Sequence, residues 1–216
     1  MTYAVLMPLK ATSRGKSRLG LPDDQRVALA AAMARDTVTA VRASPAVESV
    51  LVIAEDSADA ELVASEDVDV MLTPVRGLNE AIADAARVLA GRGWSGPVAV
   101  LPADLPFLTP GDLEWALRAA AGHASVVADA AGIGTTLLVA ADPLSLRPQF
   151  GLDSYRLHRL AGAAALAVGA GSTLHMDVDV IADLHLPAEL TLLGEHTRAV
   201  VGSLAGEGFP QVTVLP

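Results

Sequence analysis

The chain of 216 residues contains no cysteine, which excludes disulfides, thiolate metal sites and a cysteine nucleophile. Aromatic residues make up only 3 % of it against 52 % hydrophobic residues, so the core has to be built from Ala, Val and Leu. No apolar run approaches the roughly 18 residues of a membrane span. The opening stretch, MTYAVLMPLK, lacks the basic n-region and long apolar run of a secretory leader. These absences predict a cytoplasmic protein with no membrane partner. Lysine is scarce, with two in the whole chain, Lys10 and Lys16. A net charge of −10 and a pI near 4.8 leave no basic face for nucleic acid. The length suits one well-packed domain, expected over residues 1–204. Residues 205–216, with Gly206, Gly208 and Pro210, read as a frayed tail.

What is present concentrates near the start. Both lysines fall within Val5–Leu19, VLMPLKATSRGKSRL, together with Arg14 and Arg18, and no acidic residue occurs before Asp23. An acidic chain that gathers its lysines on the loop after its first apolar strand is equipped to bind an anion there. Free backbone N–H groups and the dipole of a following helix favour the same charge. The alternative is a solvated basic loop.

Taken in order, Tyr3–Pro8 reads as a buried strand, followed by a helix capped by Asp23 or Asp24 that ends near Ser44-Pro45. Ser49–Ala54 is a second strand, Asp56–Ser65 a short helix and Val68–Leu72 a third strand. Gly77–Ala90 has Leu78, Ile82, Ala85, Ala86 and Leu89 on one helical face. Pro97–Leu101 is a fourth strand, Pro110–Ala121 a helix with Thr109 as N-cap, and Ser125–Ala128 and Thr135–Ala140 two more strands. After an irregular 143–154, Tyr155–Ala161 reads as a helix, Leu174–Val178 as a strand and Pro187–Leu204 as helical. Apolar strands alternating with helices predict an α/β fold, a three-layer α/β/α sandwich around a mostly parallel, Rossmann-like sheet.

Ligands of open α/β sheets bind beyond the carboxyl ends of the strands. Asp104 lies there, directly after the fourth strand, in a turn stiffened by Pro102 and Pro106. One carboxylate facing a phosphate loop is a way to hold Mg²⁺, which takes few protein ligands and several phosphate oxygens. On a strand, Asp177 and Asp179 would point to one face, an arrangement best tolerated beside a cation. A third candidate joins Gly134-Thr135-Thr136 to Phe150-Gly151-Leu152-Asp153-Ser154, where Gly151 permits close backbone approach and Ser154 stands at a helix start. His158 either lines that site or packs. Arg147, Arg156 and Arg159 lie nearby without a basis for choosing among them. No Ser-His-Asp pattern, GxSxG, Walker loop or HExxH is present. Gly132-Ile133-Gly134 lacks the third glycine of a Rossmann dinucleotide site.

Together these pieces resemble the CofC-type guanylyltransferases of the nucleotidyltransferase fold. The resemblance rests on P-x-K at Pro8–Lys10, K-S-R-L at Lys16–Leu19, G-L-N-E-A-I at Gly77–Ile82, and A-D-L-P at Ala103–Pro106. G-x-G-T at Gly132–Thr135, F-G-x-D-S at Phe150–Ser154 and D-V-D at Asp177–Asp179 complete it. It implies transfer of GMP from GTP to phosphoenolpyruvate, 2-phospho-L-lactate or 3-phosphoglycerate, feeding synthesis of coenzyme F(420). By position it implies that Pro8, Lys10, Lys16 and Arg18 grip the GTP phosphates and that Asn79 lies near the nucleoside. It also implies that Asp104, Asp177 and Asp179 hold Mg²⁺, and that Thr135, Gly151 and Ser154 meet the acceptor acid. Ala103, where many members carry Gly or Ser, and Val180-Ile181, in place of a common Thr-Pro, depart from the pattern without removing such a side chain.

Two other readings remain open. A different nucleotidyltransferase, of the molybdenum-cofactor or sugar-phosphate type, is one. Against the former, the first loop lacks a G-x-S-x-R-x-G-x-x-K run. A non-catalytic nucleotide-binding domain is the other, distinguished by nucleotide binding without pyrophosphate release. Monomer and homodimer are equally compatible with the Ala-rich helices.

Overall fold

The computed structural model describes residues 1–9, 12, 16–64, 68–73, 77–184 and 192–205. Seven strands form one sheet: β1 (Tyr3–Leu9), β2 (Val47–Ala54), β3 (Asp69–Leu72), β4 (Val98–Val100), β5 (Ser125–Ala128), β6 (Thr135–Ala140) and β7 (Ala164–Ala165). Their order is β3-β2-β1-β4-β6-β5-β7. All neighbouring pairs run parallel except β6, which is antiparallel to β4 and to β5. The expected mostly parallel α/β/α sandwich is the one observed.

β1 shows why the sequence forms such a sheet. All seven of its residues are buried. Tyr3, Val5, Met7 and Leu9 enter one core while Ala4 and Leu6 enter the other, the two-residue period of a strand covered on both faces. On the first face lie α1 (Asp23–Arg42), α2 (Ser57–Val63) and α4 (Pro110–Ala120), through residues such as Val38, Val63 and Leu117. On the second lies α3 (Leu78–Gly91), through Ala81, Ile82, Ala85, Ala86 and Leu89. Burying a Leu or Ile side chain of this kind contributes about 1.5–3 kcal/mol each, so small aliphatics suffice where they are this numerous. α5 (Ser154–Leu160) and α6 (Glu195–Ala205) complete the helices.

A third, smaller core gathers Leu19, Leu29, Met33, Phe107, Val178, Leu184 and Leu193. Leu19 adjoins Arg18, Phe107 follows Asp104 by three residues, and Val178 separates Asp177 from Asp179. One apolar cluster therefore anchors three chain segments that carry charged candidate residues.

Three local expectations need correction. Leu174–Val178 is not a strand. Thr173–His175 makes a 3-10 turn, with the Ser172 hydroxyl accepting from the Leu174 amide. The turn is tied to α4 by Asp112, whose Oδ2 accepts from the Thr173 amide at 2.8 Å and its hydroxyl at 2.5 Å. These bonds take the place of a ladder, and the segment is none of the strands of the sheet. The helix expected over Pro187–Leu204 begins only at Glu195. Its start is set from outside by the buried Asp36 carboxylate, which accepts from the amides of His196 at 3.1 Å and Thr197 at 2.7 Å. Residues 185–191 lie outside those described. Finally, Pro22, not Asp23 or Asp24, is the N-cap of α1. The two aspartates occupy its first turn, where they favour the helix dipole without a capping bond.

Candidate active site

The topology brings four strand ends to one edge of the sheet. β1 and β4 deliver Leu9 and the 101–104 turn at their carboxyl ends. Because β6 runs the opposite way, its first residues, Thr135 and Thr136, arrive at the same edge. β5 runs antiparallel to β6 and so brings Asp129 there as well. A cleft of about 670 Å³ opens along this edge, within the roughly 300–1,000 Å³ common for small-molecule sites. Pro8, Lys16, Arg18, Asp104, Thr135, Gly151, Ser154, Asp177 and Asp179 all line it. Lys10 lies outside the described residues. Asn79 is not on the wall, although its neighbour Leu78 is.

One half of the cleft is charged. Lys16 sits in the left-handed region, with φ 57°, an uncommon conformation for a side-chained residue, and its ammonium joins two carboxylates. Nζ donates to Asp104 Oδ2 at 2.6 Å and to Asp179 Oδ1 at 2.9 Å. The Lys16 and Asp104 side chains are only 14 % and 27 % exposed, whereas Asp179 is 57 % exposed. The Asp104 contact is therefore the stronger, since solvent leaves an exposed pair worth only about 0–1 kcal/mol. Burial by itself pulls the ammonium pKa down, but the Asp104 and then the Asp179 carboxylates outweigh it and hold it above the ordinary lysine value. Asp177 is the counterpart. Burial, then the charges of Asp104, Asp129 and Asp179, push its carboxyl up to about 7 despite Lys16. The two acid-bearing segments are tied by backbone: the Val178 amide donates to the Asp104 carbonyl at 3.1 Å.

Behind the loop after β1, Thr12 is clamped from two sides. Its amide and hydroxyl both donate to Asp59 Oδ1, at 3.1 and 2.7 Å, and its carbonyl accepts from Arg26 Nη1 at 2.8 Å. Asp59 is 2 % exposed, so this clamp is shielded from water.

The other half is neutral and built on backbone. Gly151 has φ +129°, which side-chained residues rarely adopt, so the turn at 150–153 requires glycine. Both amide atoms of Asn79 hold Phe150: Oδ1 accepts from its N–H at 2.7 Å and Nδ2 donates to its carbonyl at 3.0 Å. The Tyr155 amide donates to the Ile133 carbonyl at 3.0 Å, fixing the start of α5 to the loop before β6. His158, on α5, is fully buried, between Thr135 Oγ1 at 2.9 Å and the Gln149 amide at 2.8 Å. Its pKa is lowered to about 4 by burial. Arg147 and Arg159 donate to nearby backbone carbonyls, and Arg156 pairs with Asp153 at 3.5 Å.

Asp129 escaped the sequence reading. Its carboxylate accepts from the amides of Ile133 at 2.9 Å and Gly134 at 2.8 Å. A Cβ on Gly134 would stand 2.4 Å from Asp129 Oδ2, so that glycine is required by the close approach. An Asp standing just before a Gly-x-Gly turn, the signature of a carboxylate folding back on its own loop, was the available signal.

Among the described residues lining the cleft, five aspartates face two cations, Lys16 and Arg18. No three acidic or His side chains among the described residues are gathered closely enough to enclose a metal ion. The donor chemistry nonetheless fits a hard divalent cation. The oxygens are carboxylates, and Mg²⁺ needs only one or two of them when phosphates supply the rest.

The family model described as guanylyl transferase, CofC like, matches residues 3–200. A phosphoenolpyruvate guanylyltransferase of Streptomyces avermitilis is 44 % identical, covering 94 % of this chain and 96 % of its own. Another, of Streptomyces coelicolor, is 42 % identical, covering 94 % of this chain and 98 % of its own. Among solved structures, one described as a nucleotide-diphospho-sugar transferase from Desulfovibrio desulfuricans superposes with a TM-score of 0.70 at 15 % identity, over 95 % of this chain and 96 % of that one. That likeness speaks to fold alone. No helix among the described residues is long and apolar enough to cross a membrane. On sequence and fold together, the chain belongs to the CofC-like guanylyltransferase family and is an enzyme of the nucleotidyltransferase class.

Proposed function

We propose that residues 1–204 form one catalytic domain that transfers GMP from GTP to phosphoenolpyruvate, releasing pyrophosphate, as a cytoplasmic step toward coenzyme F(420). The observation that carries this reading is the division of one cleft into a charged end and a neutral, hydrogen-bonding end. Lys16 joins Asp104 and Asp179 at the first, and Thr135, Gly151 and Ser154 line the second. The names of the two Streptomyces relatives favour phosphoenolpyruvate over 2-phospho-L-lactate.

The triphosphate lies at the charged end, gripped by Lys10, Lys16 and Arg18 and passing Pro8. Asn79, which the resemblance puts near the nucleoside, holds the Phe150 loop at the acceptor end from behind. The acceptor lies at the neutral end, against Thr135, Gly151 and Ser154. One oxygen of the acceptor phosphate attacks the α-phosphorus. The new P–O bond forms as the α–β bridging bond breaks, and that electron pair leaves with pyrophosphate. The acceptor is already an anionic nucleophile, so no side chain has to remove a proton. Positioning and charge neutralisation are what remain for the protein. Asp104, Asp177 and Asp179 would hold Mg²⁺, which supplies positive charge to the phosphates when bound. Lys16 then neutralises charge on the leaving group, while the backbone tie between Val178 and Asp104 keeps the two acidic segments in register.

The test is pyrophosphate release with GTP and Mg²⁺ and each of three acids in parallel: phosphoenolpyruvate, 2-phospho-L-lactate and 3-phosphoglycerate. Release with phosphoenolpyruvate is expected. Release with another acid alone would replace the acceptor, and silence with all three from folded protein would sink the reading.

A further inference from the structure

We propose that His158 is a positioning residue for the acceptor: its tautomer makes the Thr135 hydroxyl a hydrogen-bond donor into the cleft, and its other nitrogen holds the loop that carries Gly151. The inference rests on the assignment of the neutral end to the acceptor acid.

The argument begins at Gln149. Its backbone N–H lies 2.8 Å from His158 Nε2. A backbone amide can only donate, so Nε2 must accept and carries no proton. A neutral imidazole then has its single hydrogen on Nδ1. That nitrogen is 2.9 Å from Thr135 Oγ1, so the hydroxyl oxygen accepts from the ring. The hydroxyl's own hydrogen has no acceptor among the described residues and is left to Thr135's open side, the cleft it lines. With the other tautomer the hydroxyl would donate to the ring and turn only lone pairs toward an anion. The choice of ring nitrogen therefore decides whether Thr135 attracts or repels a phosphate or carboxylate.

Three features lock this state. His158 is 0 % exposed, so water does not substitute for either partner. Its ring meets Phe150 edge-on, with centroids 5.0 Å apart at 70°, so it cannot turn over without displacing the loop. Adding a second proton would set Nε2–H against the Gln149 N–H, and burial independently keeps the ring neutral, at a pKa of about 4.

The test uses the whole enzyme and two readouts. Long-range ¹H–¹⁵N spectra of its imidazoles, assigned by comparison with His158→Gln, should show the neutral Nδ1–H form at neutral pH. The Nε2–H form or an imidazolium would overturn the proposal whatever the activity. In kinetics, His158→Gln keeps a carboxamide oxygen near the Nε2 position but loses the donor to Thr135. It should raise KM for phosphoenolpyruvate about tenfold, the typical worth of one buried hydrogen bond, with KM for GTP within about twofold. His158→Asn, which keeps a donor near the Nδ1 position, should recover part of that loss. Thr135→Val should show the same KM rise, and the double variant no further rise. Equal damage to both KM values, or effects that multiply in the double variant, would reduce His158 to general packing and overturn its action through Thr135. A wild-type enzyme that turned over none of the acids would overturn the function reading instead, and the spectra would still judge the tautomer.

Discussion

The two ends of the cleft are made differently. At the charged end, side chains meet side chains: Lys16 joins Asp104 and Asp179, and Asp177 stands in their field. At the neutral end, side chains meet backbone: Asn79 and His158 hold Phe150 and Gln149. Ion pairs near solvent are worth little in holding a fold and can reorganise around an incoming charge. Buried bonds to backbone are costly to leave unmade and fix a shape. The contrast is in keeping with the proposed placement: a ligand whose charge varies with its bound cation at the first end, and a small acid recognised by outline at the second.

The largest effect should come from Asp104. Asp104→Ala removes the carboxylate but not the backbone carbonyl that accepts from Val178, so the fold should survive. Turnover should fall at least about 10³-fold, of the order lost with other groups that stabilise transition-state charge. A folded variant with near wild-type kcat would take the charged end out of the chemistry and break the comparison.

The ends also titrate with opposite sign. Asp177, raised to about 7 in the folded chain from an ordinary 3.8, binds a proton more readily folded than unfolded. Its contribution is fully present below about pH 4 and is lost as pH rises toward 7. His158, lowered from 6.5 to about 4, does the reverse: its contribution is complete above about 6.5 and is lost as pH falls toward 4. In chelator, Asp177→Asn should therefore melt above wild type at pH 8, with the gap closing toward pH 5. A gap independent of pH would mean that neither burial nor neighbouring charge raises the Asp177 carboxyl.

Asn79 sharpens the comparison at the border between the two ends. Both its amide atoms are used on Phe150, so Asn79→Ala should loosen the loop at Gly151 and raise the KM of the acid about tenfold. A rise confined to GTP would instead put Asn79 in direct service of the nucleoside and move the border.

Much of this architecture was legible. Continuous apolar strands such as SVLVIA and the Ile82, Ala85, Ala86, Leu89 stripe encode a sheet covered on both faces, because each element's period states which side it buries. The elements that failed are those set by distant partners. Asp177-Val178-Asp179 alternates like a strand, yet its conformation follows from Asp112 and Asp104. The start of α6 depends on Asp36, some 160 positions away. Asn79 and His158 carry no local mark of what they hold, since their partners are backbone groups whose identity no residue letter records.

The smallest expected effect lies at Asp59, behind the charged end. Its Oδ1 accepts both the amide and the hydroxyl of Thr12, and Arg26 takes the Thr12 carbonyl. Thr12 lines the cleft and lies in sequence between Lys10 and Lys16, the two lysines proposed to grip the triphosphate, so the clamp fixes one point of that segment. Asp59→Ala leaves two buried donors unmet and should raise the KM for GTP about three- to tenfold. Asp59→Asn, which keeps an acceptor oxygen, should restore most of that loss. The acceptor's KM should stay within about twofold in both variants, because none of the bonds of the clamp described above reaches the 150–154 turn. A matched rise in both KM values would show that the loop after β1 sets the acceptor's place as well, and the two ends would then work as one.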